Sequence, residues 1–129
     1  MSVQVTNLAN PTGSTLFKVT PTSGGGTAAE DQLSASSTTI QQVHIENTAN
    51  ASATAYVKLW NLTAANVTMG NTNSPPVLVL PCPGGKTMTY TFPQGTTLAT
   101  ACSISAVTTG GTGGTASMTN AITIYVLAA

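Results

Sequence analysis

Charge is what this chain most conspicuously has little of. Its 129 residues include three Lys, two Glu, one Asp and one His, and no Arg. Charged side chains make up 5% of the sequence, against roughly 25% in an ordinary soluble domain. With Lys18, Lys58 and Lys86 as the only side-chain cations, no basic patch can form. That excludes nucleic-acid binding of the kind that neutralises phosphates. A surface with so little charge, at a formal net charge of zero, has almost no like-charge repulsion to keep copies or partners apart.

The same scarcity argues against catalysis. His44 is the single imidazole, the side chain suited to proton transfer near neutrality. Glu46 shares its strand face two residues on and would orient it, but no nucleophile motif, no Gly-x-Ser-x-Gly and no phosphate loop accompany the pair. A structural strand histidine is the expected reading. Glu30, Asp31 and Glu46 would form a glycosidase-like pair only by accident of folding. No Asp-x-Asp-x-Asp calcium loop is present either. The expectation is a protein that is not an enzyme and holds no cofactor or metal.

Other absences narrow the class further. No apolar run approaches the ~20 residues of a membrane-spanning helix, so no membrane partner is expected. The opening MSVQVTNLANPTG lacks the charged and apolar regions of a signal peptide, and synthesis in a cytoplasm is the expectation. Two cysteines, Cys82 and Cys102, make no metal pattern. They are expected as free, buried thiols, with a late Cys82–Cys102 disulfide in an extracellular particle as the alternative. Three N-glycosylation sequons, at Asn50, Asn61 and Asn66, are discounted in a chain so rich in Asn, Ser and Thr. No repeat of fixed period exists, so the row Thr87, Thr89 and Thr91 reads as a solvent face rather than part of an ice-binding solenoid.

What the chain does contain is alternation. Helical periodicity is nearly absent, 41% of residues are apolar and the mean hydropathy is +0.20. Thr, Val and Ile, branched at Cβ, favour pleated strands. Strands are predicted at 2–6, 15–20, 38–47, 53–62, 76–81, 86–92, 98–107 and 121–127. Turns are predicted at Cys82-Pro83-Gly84-Gly85 and Pro93-Gln94-Gly95. Residues 21–37 and 108–117 read as flexible loops, with one helical turn over 28–34 as an alternative. The whole is a single all-β domain over residues 1–129: an antiparallel β-sandwich of about eight strands, jelly-roll-like.

Within that frame, Val43 and Ile45 are expected on one face of their strand, and Ile40, Gln42 and His44 on the other. Apolar residues are left over on outer faces: Val77 or Leu78, Tyr125 and Leu127, Tyr56 and Trp60. They suggest contacts with copies or partners, unless loops cover them. Trp60 with Tyr56 also fits a sugar-stacking platform, though a core or interface Trp is favoured.

The second half of the chain carries a run of turn and strand cues. Tyr56-Val57-Lys58-Leu59-Trp60-Asn61 looks like a VKLYN strand. Pro75-Pro76-Val77-Leu78-Val79-Leu80-Pro81 follows, then Pro83-Gly84-Gly85 and Phe92-Pro93-Gln94-Gly95. A strand ending in AVTTG and a closing apolar strand complete the series. Over roughly residues 40–129 this resembles small virion structural proteins of tailed bacteriophages. The resemblance implies a capsid decoration or cement protein on the outer head surface. Its partners would be the major capsid protein and itself, as dimer or trimer. A tail-tip or fibre-associated protein and a carbohydrate-binding module are the rival expectations. Under the virion reading, residues 1–8, with Val3, Val5 and Leu8, form a capsid-gripping arm that adds a strand to a neighbour. Otherwise they are the first strand of the sandwich. The candidate interface residues are therefore Val3, Val5, Leu8, Tyr56, Trp60, Leu78, Tyr125 and Leu127.

Overall fold

The computed structural model describes residues 4–8 and 14–129. Among these are nine strands: β1 (Gln4–Leu8), β2 (Thr15–Thr20), β3 (Asp31–Ser34), β4 (Thr38–Asn47), β5 (Ala55–Trp60), β6 (Leu78–Cys82), β7 (Lys86–Leu98), β8 (Cys102–Val107) and β9 (Thr123–Ala128). One 3-10 turn, Ala64–Asn66, interrupts them. The strands form two antiparallel sheets, ordered β1-β2-β9-β4-β7 and β3-β8-β5-β6.

The pairings define the topology. β2 pairs with β9, β3 with β8, β4 with β7 and β5 with β6. These are the rungs of one long two-stranded ribbon. Folding the ribbon over brings β4 beside β9 and β5 beside β8. The result is a jelly roll, with β1 added at one edge.

The core lies between the sheets. Val19, Ile40, Val43, Ile45, Ile124 and Val126 from one sheet meet Val57, Leu59, Leu80, Ile104 and Ala106 from the other. Ala55, Val57 and Leu59 alternate toward the core along β5, as Ile122, Ile124 and Val126 do at the end of the chain.

Several expectations need correction. The Cα register shifts between Ile40 and Gln42 against both β7 and β9. Against β9 Gln41 is the extra residue, whereas against β7 the excess lies in the partner, residues 92–95; a bulge of this kind resets the side-chain parity of a strand. Ile40 therefore joins Val43 and Ile45 in the core instead of lying opposite them. Pro93-Gln94-Gly95 does not turn the chain. It bulges outward within β7, which resumes pairing at Ile40↔Thr96 after Gln42↔Thr91. Gly95 is needed there, with φ at +73° and Thr39 Cγ2 2.3 Å from where a Cβ would sit. The predicted strand 98–107 is two strands. The chain crosses between sheets at 99–101, where Asn61 Oδ1 accepts from the Thr100 and Ala101 amides. The helical alternative at 28–34 is replaced by β3, the ninth strand.

A Cys82–Cys102 disulfide is ruled out within one chain. Cys82 lies opposite Ala55 at one end of β5, and Cys102 lies beyond the Trp60↔Ser103 pair at the other. Strand rise separates them by about 20 Å, against the ~7 Å Cα limit for a bridge. Both are buried free thiols, and burial pushes Cys102 up to about 12.

With so few charges, buried polar links fall to asparagine. Asn47 Nδ2 donates to Ala53 O at 2.9 Å and Cys82 O at 3.0 Å. Asn50 Nδ2 donates to Asn47 Oδ1 and Asn120 O, while Asn50 Oδ1 accepts from the Asn120 amide. The cluster ties three connections together at one end of the sandwich. It also commits the amide of one sequon, Asn50, which is buried. Replacing Asn47 takes the side-chain donor from Ala53 O and from the buried Cys82 O, and one of two acceptors from the Asn50 amide, which keeps Asn120 O, at about 1–3 kcal/mol for an unpaired buried group. Asn47→Ala is expected to lower the urea midpoint by an amount equivalent to about 2–4 kcal/mol, whereas Asn66→Ala should leave it unchanged.

Candidate functional site

The two sheets differ on their outer surfaces. The outer face of the β3-β8-β5-β6 sheet is covered over most of its two central strands, while Gln32 and Pro81 at its edges stay exposed. All six residues of β8 are buried, and on β5 Lys58 and Trp60 are as buried as the core-facing residues. Loop carbonyls satisfy the polar atoms on this face. Trp60 Nε1 donates to Ser74 O at 2.9 Å, Ser103 Oγ to Leu62 O at 3.0 Å and Ser105 Oγ to Ala29 O at 2.8 Å.

Lys58 Nζ reaches only Gly114 O, at 3.5 Å. Burial lowers its pKa. The two segments expected to be flexible loops cross-link over this face. The Ala28 amide donates to Thr115 O, the Ser117 amide to Gly26 O and the Gly24 amide to Met118 O.

Trp60, 1% exposed, is thus no interface residue. The condition for a sugar platform, an exposed Trp60, is not met. Tyr56 is half-buried, its ring against Gly110, where a Cβ would meet Cε1 at 3.0 Å.

The outer face of the other sheet is open, and the register arranges it in rows. Lys18, Tyr125, His44 and Thr89 form one row across β2, β9, β4 and β7. Leu16, Leu127, Gln42 and Thr91 form the next, and Thr123, Glu46 and Thr87 a third. His44 Nδ1 and Thr89 Oγ1 are hydrogen-bonded at 2.7 Å. Glu46 Oε2 leans to 3.7 Å from His44 Nε2. The His44 and Tyr125 rings lie 6.2 Å apart. Of the residues expected at interfaces, Tyr125 and Leu127 lie on this face, both half-buried. The Phe92–Gly95 bulge rises beside it and, with Leu127 and Gln42, walls an open groove of about 350 Å³.

β6 and β7 are the neighbouring edges of the two sheets. Two large hydrophobic side chains are left in solvent on these edges: Met88 (36% exposed) on β7 and Val77 (51%) just before β6. Tyr90 links the strands by donating its hydroxyl to Pro81 O at 2.5 Å. Leu78, an expected interface residue, packs partly against the core, so its neighbour Val77 is the exposed one. Met88 shares a strand face with Tyr90 and Phe92, which the alternation of 86–92 marks as apolar, and it stands opposite Ile45, a core position. Only its place on an edge strand leaves it uncovered.

Val5 and Leu8 lie on β1, paired in register with Val19 and Leu16. β1 is thus an edge strand of this chain's own sheet, and Val3 lies outside the described residues. Among the described residues no three His, Cys, Asp or Glu side chains cluster as a metal site.

One carboxyl stands apart. Asp31 is buried on the edge strand β3, opposite Ile104, with Oδ2 lacking a hydrogen-bond partner. Burial first, and then the neighbouring Glu30 charge, raise its pKa to about 7 from 3.8.

No family model matches this chain, and no curated protein or solved structure shows significant similarity to it.

Each of the two buried ionisable groups makes a prediction. Between about pH 4 and 7 the folded state holds the Asp31 proton that the unfolded state has lost. Stability should therefore be full below pH 4, fall as pH rises towards 7 and level off above it. Asp31→Asn should abolish most of that slope and be the more stable protein at pH 8, as read by thermal melts across pH. Lys58→Met replaces an under-satisfied buried ammonium by an apolar chain of similar length. It is expected to be neutral or to stabilise by about 1–3 kcal/mol, measured by urea unfolding at neutral pH.

Proposed function

We propose that this chain is a non-enzymatic structural protein of a tailed-phage particle. It sits on the outer head surface as a decoration or cement protein and binds the major capsid protein. The observation that carries the reading is the pair of exposed apolar side chains, Val77 and Met88, on a surface almost without charge. With Lys58 and Asp31 buried, only Lys18, Lys86, Glu30 and Glu46 bring side-chain charge to the outside, besides a half-buried His44. Such a surface suits apolar contact with a preformed protein lattice. The jelly roll is compatible with this role, being a recurrent fold of viral shells, although lectin domains and cupins share it.

Each contact of this kind is modest. Fully burying a Val or Met side chain is worth about 1.5–3 kcal/mol, and these two are already partly covered. Cement function follows from repetition. A protein that bridges neighbouring shell subunits engages a second site at high effective concentration, so weak contacts add up across the lattice.

The deciding measurement is copy number in purified particles, by quantitative mass spectrometry against the major capsid protein. Hundreds of copies in simple ratio are expected. A handful would place the protein at the tail tip or fibres, and none would end the virion reading.

Two binding experiments probe the surface. Val77→Asp with Met88→Lys should abolish shell binding and leave the melting temperature within a few degrees, because neither side chain fills the core. Binding of the wild type should hardly change between low and physiological salt, since apolar contacts are not screened.

A further inference from the structure

We propose that the open outer face of the β1-β2-β9-β4-β7 sheet is a self-association surface, on which a second copy of this chain packs face to face about a two-fold axis along β9. The inference rests on this face alone and stands or falls independently of the virion placement.

The face carries two exposed side-chain charges of opposite sign, and their positions are related through β9. Lys18 is on β2 and Glu46 on β4, the strands on either side of β9. The Glu46 carboxylate leans to 3.7 Å from His44 Nε2, which brings it to the row that contains Lys18, Tyr125 and His44. A two-fold rotation about an axis running along β9, in the plane between two such faces, exchanges β2 and β4. It sets Lys18 of each copy over the His44–Glu46 pair of the other, giving two symmetric contacts. A residue on one side of an isologous interface must find its partner on the other in this reciprocal way.

The residues on the axis are self-complementary. Tyr125 and Leu127 alternate outward along β9, and both are half-buried. The axis stacks each against its own copy, so an apolar seam lies between the two charge pairs. Leu16 of one copy meets the Gln42 position of the other. The seam would supply most of the attraction, and the charges its direction and register. An axis across the strands would instead leave Lys18 above the partner's β2, away from Glu46.

The size of the face sets the strength. Five strands at about 4.8 Å spacing, and three rows at about 6.8 Å along the strands, cover roughly 500 Å² per copy. The pair then covers roughly 1,000 Å², short of the ~1,200 Å² at which stable interfaces begin. The dimer is therefore concentration-dependent, weak in dilute solution and favoured where copies crowd.

Sedimentation velocity of the full chain, from low micromolar to about 1 mM, is the test. A monomer–dimer equilibrium is expected. Lys18→Glu and Glu46→Lys should each weaken it at least about tenfold, and the double exchange should restore it to within about threefold. Tyr125→Ala should abolish it. Melting temperatures at the lowest concentration should stay close to wild type in all four, which separates dimer loss from misfolding. A protein that remains monomeric throughout overturns the proposal, as does a dimer indifferent to Tyr125→Ala and to the charge exchange. A monomer whose binding to purified shells is lost on Tyr125→Lys would also overturn it and give the face to the capsid.

Discussion

Everything distinctive about this molecule depends on the burial of β5 and β8 on both faces. Their inward residues fill the sandwich core, which any jelly roll requires. Their outward residues, Lys58, Trp60, Ser103 and Ser105, are equally buried. A second face can be buried only if something covers it, and a chain of this length has only its own connections to use. The segments around 21–30, 61–77 and 108–118 are spent on that task, with their carbonyls accepting from the outward side chains. Among the described residues, no such covering segment lies over the outer face of the opposite sheet. The asymmetry between one covered surface and one open one is thus a consequence of where the loops lie.

Scarcity of charge shapes the energetics in the same direction. Where other proteins satisfy buried polar groups with ion pairs, this one uses Asn, Ser and Trp against backbone carbonyls. Neutral hydrogen bonds pay a smaller desolvation penalty than ion pairs, and the Asn47–Asn50–Asn120 cluster joins three connections without any charge. The two charges that are buried, Lys58 and Asp31, are the exceptions, and neither is well compensated. Outside, the few remaining charges leave apolar and hydroxyl groups to decide what the protein touches. A proposed role on a shell, and a proposed contact between copies, both draw on that property and use different surfaces: the β6–β7 side for one, the open sheet face for the other.

How much of the site was legible beforehand depends on the residue. Tyr125 and Leu127 were readable as outward-facing because β9 alternates without interruption, and a strict period of two assigns faces directly. Trp60 obeys the same rule, and of the two readings left open, contact with a partner or cover by loops, the second holds. Alternation places a side chain on a face but says nothing of what lies over it, and the cover comes from Ser74 and its neighbours along the chain. Met88 faces the core by register and reaches solvent because β7 is an edge. Ile40 changed faces because Gln41 is a bulge, and no residue type in Thr39-Ile40-Gln41-Gln42 announces one.

By itself the sequence determined the class of fold, most strand positions and the chemical character of the surface. Those follow from local quantities: branching at Cβ, period-two alternation, Gly and Pro punctuation, and the count of ionisable groups. Tertiary structure alone decided the rest. It paired β2 with β9 and β3 with β8 across most of the chain, set Cys82 and Cys102 at opposite ends of β5, and chose which sheet the loops would cover. Each of these depends on contacts between segments distant in sequence, where the geometry of wrapping one ribbon on itself outweighs the preference of any single stretch.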